Sequence, residues 1–176
     1  PSNKTALYID PVSANTDNIL SLSEGTATTS TINGFVSGTF VAGDLISLVL
    51  NGHTYTALAD ANGNFTASVA VADLKADADK TIEASVTGTG GSYATAAQTY
   101  QVETAANSGK TTALSIAPVT ADNIIGKTES TSASVPVNGY VSGAFSVNDT
   151  VTLTINGKPF TGKPDNTGFF SINVPG

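Results

Sequence analysis

The sequence predicts an all-β protein built from tandem β-sandwich units, with about seven strands in a full unit. Three observations predict it. Residues 33–52 read NGFVSGTFVAGDLISLVLNG and residues 138–157 read NGYVSGAFSVNDTVTLTING, one block written twice at an offset of 105 residues. Apolar and polar residues alternate with a period of two inside that block, the mark of half-buried strands. Turn residues interrupt the alternation at intervals of about 8–12 residues.

The strands follow in order. The expected segments of the first repeat are 5–9, 31–40, 45–50, 53–58, 64–70, 80–88 and 93–103. Ile46, Leu48 and Leu50 share one face, as do Val151, Leu153 and Ile155 in the second copy. Phe65, Ala67 and Val69 match Phe170, Ile172 and Val174 on a further strand. Ile82, Ala84 and Val86 point opposite to Thr81, Glu83 and Ser85, and Tyr100 and Val102 close the repeat. Asn51-Gly52 and Asn156-Gly157 read as type I′ hairpin turns, where both central residues need positive φ. Val71 to Ala78 supports one helical turn at most. This strand count and spacing match an immunoglobulin-type sandwich packed without a disulfide or a core tryptophan.

The repeat holds from Asp17-Asn18-Ile19, matching Asp122-Asn123-Ile124, to Val69, matching Val174. A period this long means one small domain per repeat. The expected units are residues 1–104 and 111–176, joined by a small polar linker at 105–110. The second repeat stops at Pro175-Gly176 without its last two strands, and the chain begins at Pro1-Ser2-Asn3 with no signal peptide. Both ends suggest a piece cut from a longer array. The alternative is strand exchange, in which another copy supplies the absent strands.

Composition narrows the function. The 176 residues contain no cysteine, methionine, tryptophan or arginine, and the net charge is −7. Residues 1–104 carry all of that excess, and residues 105–176 balance. Lack of a basic face argues against nucleic acid and anionic membrane as partners. No apolar run is long enough to span a bilayer. No nucleophile elbow, paired histidines or phosphate-cradling loop occurs, so the chain reads as a non-enzyme with no small-molecule substrate. His53 is the only histidine, and Lys158 replaces it in the second repeat, so it reads as a solvent-facing hairpin residue.

Calcium is the chemical candidate, because a hard cation takes six to eight oxygen ligands from acidic loops. Asp73, Asp77 and Asp79 cluster in VADLKADADK, and side chains two apart on an extended segment can share one ion. Asp17-Asn18 with Glu24 recurs as Asp122-Asn123 with Glu129. Capping of turns is the competing role for such aspartates, and Asp60 and Asp165 read as turn formers. Phe35, Phe40 and Tyr55 match Tyr140, Phe145 and Phe160, which suits packing, while Phe169 falls on an outward phase and could mark a contact surface.

The strings VSGTFVAGDLISLVLNGHTY, DANGNFTASVAVADLKADADKTIEASV and VNGYVSGAFSVNDTVTLTINGKPFTG resemble the bacterial immunoglobulin-like repeats of giant RTX adhesins, type I-secreted proteins of the biofilm and ice-binding type. The resemblance implies an extracellular extender on the bacterial cell surface, partnered by neighbouring repeats and stiffened by calcium at domain junctions. Carried over by position, the implied ligands are Asp17, Asn18, Glu24, Asp77, Asp79, Asp122, Asn123 and Glu129. Lys127, inside DNIIGKTES, departs from that family's acidic junction. A carbohydrate- or protein-binding module, or an accessory domain of a secreted enzyme, is the alternative function.

Overall fold

The structure is a computed structural model that describes residues 4–88, 91 and 93–176; Pro1-Ser2-Asn3 lie outside the described residues. The N-terminal unit contains strands β1 (Thr5–Ile9), β2 (Ile19–Leu20), β3 (Thr29–Gly38), β4 (Leu45–Leu50), β5 (His53–Leu58), β6 (Asn64–Ala70), β7 (Thr81–Thr87), β8 (Tyr93–Thr99) and β9 (Gln101–Val102). Helix α1 (Val71–Ala76) lies between β6 and β7. The C-terminal unit contains β10 (Thr112–Ile116), α2 (Lys127–Ser130), β11 (Val135–Gly143), β12 (Val151–Ile155), β13 (Lys158–Gly162) and β14 (Phe169–Val174). The fold is an immunoglobulin-like β-sandwich.

In the N-terminal unit, the sheet β1-β3-β6 faces the sheet β5-β4-β7-β8. Apolar residues on alternating positions fill the space between them: Leu7, Ile9, Ile32, Val36, Ile46, Leu48, Phe65, Ile82 and Val86 are all buried in one cluster. Asn51-Gly52 turns β4 into β5 with both residues at positive φ, 50° and 74°, so the register pairs Leu50 with His53.

The C-terminal unit repeats part of this plan. Its sheet β10-β11-β14 corresponds to β1-β3-β6, and β12-β13 corresponds to β4-β5. Gly34 sits where Phe65 crosses β3, and Gly139 sits where Phe170 crosses β11. A Cβ on Gly34 would overlap the Tyr8 carbonyl and the Phe65 ring; a Cβ on Gly139 would overlap the Ser115 carbonyl and the Phe170 ring. Glycine is required at both positions because the ring lies directly on the strand backbone. The registers also show a shift that the 105-residue offset hides. Thr5 pairs with Gly38 but Thr112 pairs with Gly143, so the loop after β10 is two residues shorter than the loop after β1.

Nothing among the described residues takes the place of β7 and β8 over the second core. Leu7 and Leu114 are equivalent, yet Leu7 is 3% exposed and Leu114 is 40% exposed. Leu50 is 1% exposed and its counterpart Ile155 is 43% exposed. Equivalent positions therefore differ in burial, because among the described residues covering strands stand over the first core only.

Two expectations need correction. Residues 93–103 do not form one strand: Tyr100 ends the pairing with β7, and β9 leaves to pair in parallel with β2. That β2–β9 pair, too short to show any periodicity, was not foreseen, and neither was α2. The second expected strand, 31–40, runs from Thr29 to Gly38 instead.

Phe65→Ala removes the ring that fills the space left by Gly34. The expected loss is about 3–5 kcal/mol of N-terminal unit stability. Urea unfolding followed by far-ultraviolet circular dichroism checks it, and a loss within about 0.5 kcal/mol, as for a neutral surface change, would contradict this packing.

Candidate functional site

The residues singled out for calcium lie in three places, after β1, after β10 and from α1 to the start of β7, and all their carboxylates but that of Glu129 accept hydrogen bonds from nearby groups. In the loop after β1, Asp17 Oδ1 accepts from the Ser13 hydroxyl at 2.7 Å and from the Ile19 amide at 2.9 Å. Glu24 accepts from the Ala14 amide at 2.9 Å and from the Ser21 amide and hydroxyl at 2.9 and 2.6 Å. Partial burial pushes the Glu24 carboxyl up, but the donors from Ser21, Ala14 and Asn15 outweigh it and hold the carboxyl below its ordinary range. Asp17 and Glu24 thus staple neighbouring residues of one loop.

Asn18 is fully buried between them at a left-handed φ of 61°, a conformation that asparagine tolerates. Its Oδ1 accepts from the Val12 amide at 2.6 Å, and its Nδ2 donates to the Leu114 carbonyl of the other unit at 3.1 Å.

The matching loop of the C-terminal unit repeats the local pattern. Asp122 Oδ1 accepts from the Thr120 hydroxyl at 2.8 Å and from the Ile124 amide at 3.1 Å, and these donors hold its carboxyl below the ordinary range. Asn123 Oδ1 accepts from the Val119 amide at 3.2 Å. Glu129 lies on α2 with its carboxylate folded back against Gly126.

Asp77 and Asp79 do converge, as the spacing suggested, but on a proton donor. Both accept from the Thr81 amide, at 2.9 and 3.1 Å. Asp77 also accepts from the buried Tyr100 hydroxyl at 3.3 Å. Burial raises the Tyr100 phenol first, and Asp77 raises it further. Among the described residues, no three histidine or acidic side chains gather as a metal would require. A cation needs lone pairs that are free to face it, whereas the carboxylates of Asp17, Glu24, Asp73, Asp77, Asp79 and Asp122 accept from N–H and O–H groups. The nine residues, as they are set, do not fit calcium.

Asp73 is separate from that pair. Its carboxylate accepts from Asn51 Nδ2 at 3.1 Å and from the Tyr55 hydroxyl, and it pairs with His53 Nδ1 at 2.7 Å. The Tyr55 hydroxyl also receives the Ala70 amide at 3.2 Å. The hydrogen bond from Tyr55, then that from Asn51, then His53, hold the Asp73 carboxyl below its ordinary range. The cluster ties α1 to the β4–β5 hairpin. His53 is the solvent-facing hairpin residue that the sequence suggests, its side chain 67% exposed, and it still reaches Asp73. The usable signal was period two: Asn51, His53 and Tyr55 share one face of the hairpin.

Between the units, the segment 104–110 is organised by Asn107. Its Oδ1 accepts from the Thr104 amide at 2.6 Å, its Nδ2 donates to the Val102 carbonyl at 3.2 Å, and its own carbonyl receives Lys110 N–H at 2.9 Å. The Tyr8 hydroxyl crosses to the Ile116 carbonyl at 2.8 Å. Burial and then Asp10 push the Tyr8 phenol up to about 12. On the outer face of β11 and β14, Tyr140 and Phe169 meet edge to face at 5.5 Å, so Phe169 packs on its cross-strand neighbour.

No family model matches the chain, and no curated protein matches it. Solved structures do. One, described as giving insight into host cell surface retention of a bacterial ice-binding adhesin, is 31% identical over 97% of this chain and 53% of that chain, with a TM-score of 0.49. A second, described as a Ca2+-stabilized adhesin that helps an Antarctic bacterium reach out and bind ice, is 29% identical over 98% of this chain and 41% of that chain, with a TM-score of 0.49. A third is a bacterial immunoglobulin-like domain from the M. primoryensis ice-binding adhesin. It is 29% identical over 57% of this chain and 97% of that chain, with a TM-score of 0.49. The chain spans about half the length of the first of these, 53%.

The lowered Asp73 carboxyl has a pH consequence. A group whose folded pKa lies below its unfolded value stabilises the fold fully above the unfolded value, and the contribution is lost as pH falls through the folded value. Asp73→Asn is therefore expected to lower the urea midpoint at neutral pH. The gap to the parent should shrink below the ordinary aspartate range of about 3.9. A gap that stays constant down to acid pH would remove the carboxylate charge from the account.

Proposed function

We propose that this chain is a pair of spacer units from a bacterial cell-surface adhesin, residues 1–104 and 111–176 joined through 105–110. They act by position and not by chemistry. The observation that carries the reading is the second copy of one structural plan, with the same sheet order, the same glycine under the same phenylalanine and the same hairpin turn. Duplicating a whole domain adds length and repeats a surface. The resemblance of VSGTFVAGDLISLVLNGHTY and its counterpart to RTX adhesin repeats supports the same role and, with it, a position outside the cell.

Stiffness in this reading comes from protein groups. Asn107 holds the linker in a hydrogen-bonded turn, and Tyr8 and Asn18 reach across to the second unit. The acidic loops contribute by bracing themselves, since their carboxylates face donors.

Two measurements test this. Melting of the chain in calcium and in EDTA is expected to coincide; a calcium-dependent rise would reinstate an ion as the stiffening agent. On a glycan array the chain is expected to bind nothing. Binding that Tyr140→Ala with Phe169→Ala abolishes would make it a carbohydrate-binding module instead. Separately, Asn107→Ala is expected to broaden the small-angle X-ray distance distribution while leaving both cores folded; an unchanged distribution would show that the linker turn does not restrain the pair.

A further inference from the structure

Two tripeptides are identical in both units and meet across the junction. Val36-Ser37-Gly38 and Val141-Ser142-Gly143 end β3 and β11, while Asp17-Asn18-Ile19 and Asp122-Asn123-Ile124 stand in the loops after β1 and β10. Ser37 Oγ donates to the main-chain carbonyl of Asp122, and Ser142 Oγ donates to the main-chain carbonyl of Asp17. The Ile124 Cδ1 methyl lies 3.0 Å from where a Cβ on Gly38 would stand, and the Ile19 Cδ1 methyl lies 2.8 Å from where a Cβ on Gly143 would stand.

These contacts are reciprocal. In both the serine–aspartate and the glycine–isoleucine contact, each residue has a counterpart that meets the partner's counterpart, the signature of a two-fold, isologous interface and not of head-to-tail stacking; the Tyr8–Ile116 and Asn18–Leu114 hydrogen bonds lie outside this reciprocal set. The two contacts also fall at opposite ends of the unit. Thr5 pairs with Gly38, whereas Ile9 pairs with Gly34 and leads into the 12–18 loop. A five-residue strand separates the ends by about 13–17 Å. With both ends engaged, the units lie side by side and antiparallel.

The prongs are preformed. The Asp17 carboxylate holds the Ile19 amide and the Asp122 carboxylate holds the Ile124 amide, so each loop presents an aspartate carbonyl and an isoleucine together. Asn18 and Asn123 take the same left-handed turn, at φ 61° and 53°. The sockets are glycines at positive φ, both 78°, with no side chain to block the isoleucine. Ile19 is 6% exposed yet packs in neither hydrophobic core. Its burial comes from the other unit. Leu114 and Ile116 stay exposed in the same arrangement, so the uncovered second core is not what draws the units together.

We infer that the D-N-I loop and the V-S-G strand end form a self-complementary clasp whose partner is another unit of the same kind, closing the pair side by side around a two-fold axis. This accounts for the identity of both tripeptides in the two copies. A spacer containing such a pair holds slack, because opening the clasp lengthens it without unfolding a domain.

The chain has no cysteine, so introduced pairs report cleanly. Asp17→Cys with Ser142→Cys samples the contact next to the linker; Ser37→Cys with Asp122→Cys samples the far contact. Each double variant is treated with a short bismaleimide at high dilution and sized by mass spectrometry. The clasp requires both to cross-link within one chain. An end-to-end rod cross-links only the 17–142 pair, and that result overturns the inference, as does cross-linking only between chains. A second measurement does not depend on those variants. Ile19→Asp with Ile124→Asp is expected to increase the maximum dimension in small-angle scattering while leaving the circular dichroism of the cores intact. An unchanged dimension also overturns it.

Discussion

The contact between a phenylalanine ring and a bare glycine backbone governs the rest of this structure. Phe65 lies on Gly34 and Phe170 lies on Gly139 because no Cβ stands in the way. The ring seals the middle of the three-stranded sheet and sets where β3 and β6, or β11 and β14, must align. Once that register is set, period-two alternation sends the remaining apolar side chains to the core face. Close-packed interiors leave little latitude for a neighbouring register, which is why the same pair recurs in both units while surface residues diverge.

The second unit separates what that contact supplies from what it does not. Its three-stranded sheet and its β12–β13 hairpin form with the same pairings as in the first unit. Burial is another matter. Leu114, Ile116 and Ile155 remain exposed while their counterparts are sealed, because β7 and β8 cover one core and, among the described residues, nothing equivalent covers the other. Local pattern and hairpin geometry produce the strands; only a second layer produces a dry interior.

Acidic residues play a related part in the loops. A loop carries amide groups that no strand partner satisfies, and Asp17, Glu24, Asp60, Asp77, Asp122 and Asp165 each accept such an amide. The negative charge of the N-terminal half is therefore largely structural in use. Asp73 differs, since it receives three side chains and joins a helix to a hairpin.

Most of the architecture was legible in the residues. The duplicated block, the alternation in LISLVL and VTLTI, and the two Asn-Gly turns determined the strands and their hairpins by local physics alone. Asp60 and Asp165 were read correctly as turn formers for the same reason. What the chain does at longer range was not legible. The β2–β9 pair spans two residues per strand and joins segments about eighty residues apart, too short to leave a periodic trace. The role of Asn107 depends on which amides the linker happens to bring near it. Asp77 and Asp79 were rightly placed side by side, but the donor between them, the Thr81 amide, became visible only when the chain turned into β7. The likeness of the two D-N-I loops and the two V-S-G ends was plain in the sequence, yet their meeting was not. A sequence determines which surfaces are alike through short-range geometry. Whether like surfaces face one another is decided by the packing of whole units, where each contact joins residues that local periodicity does not connect.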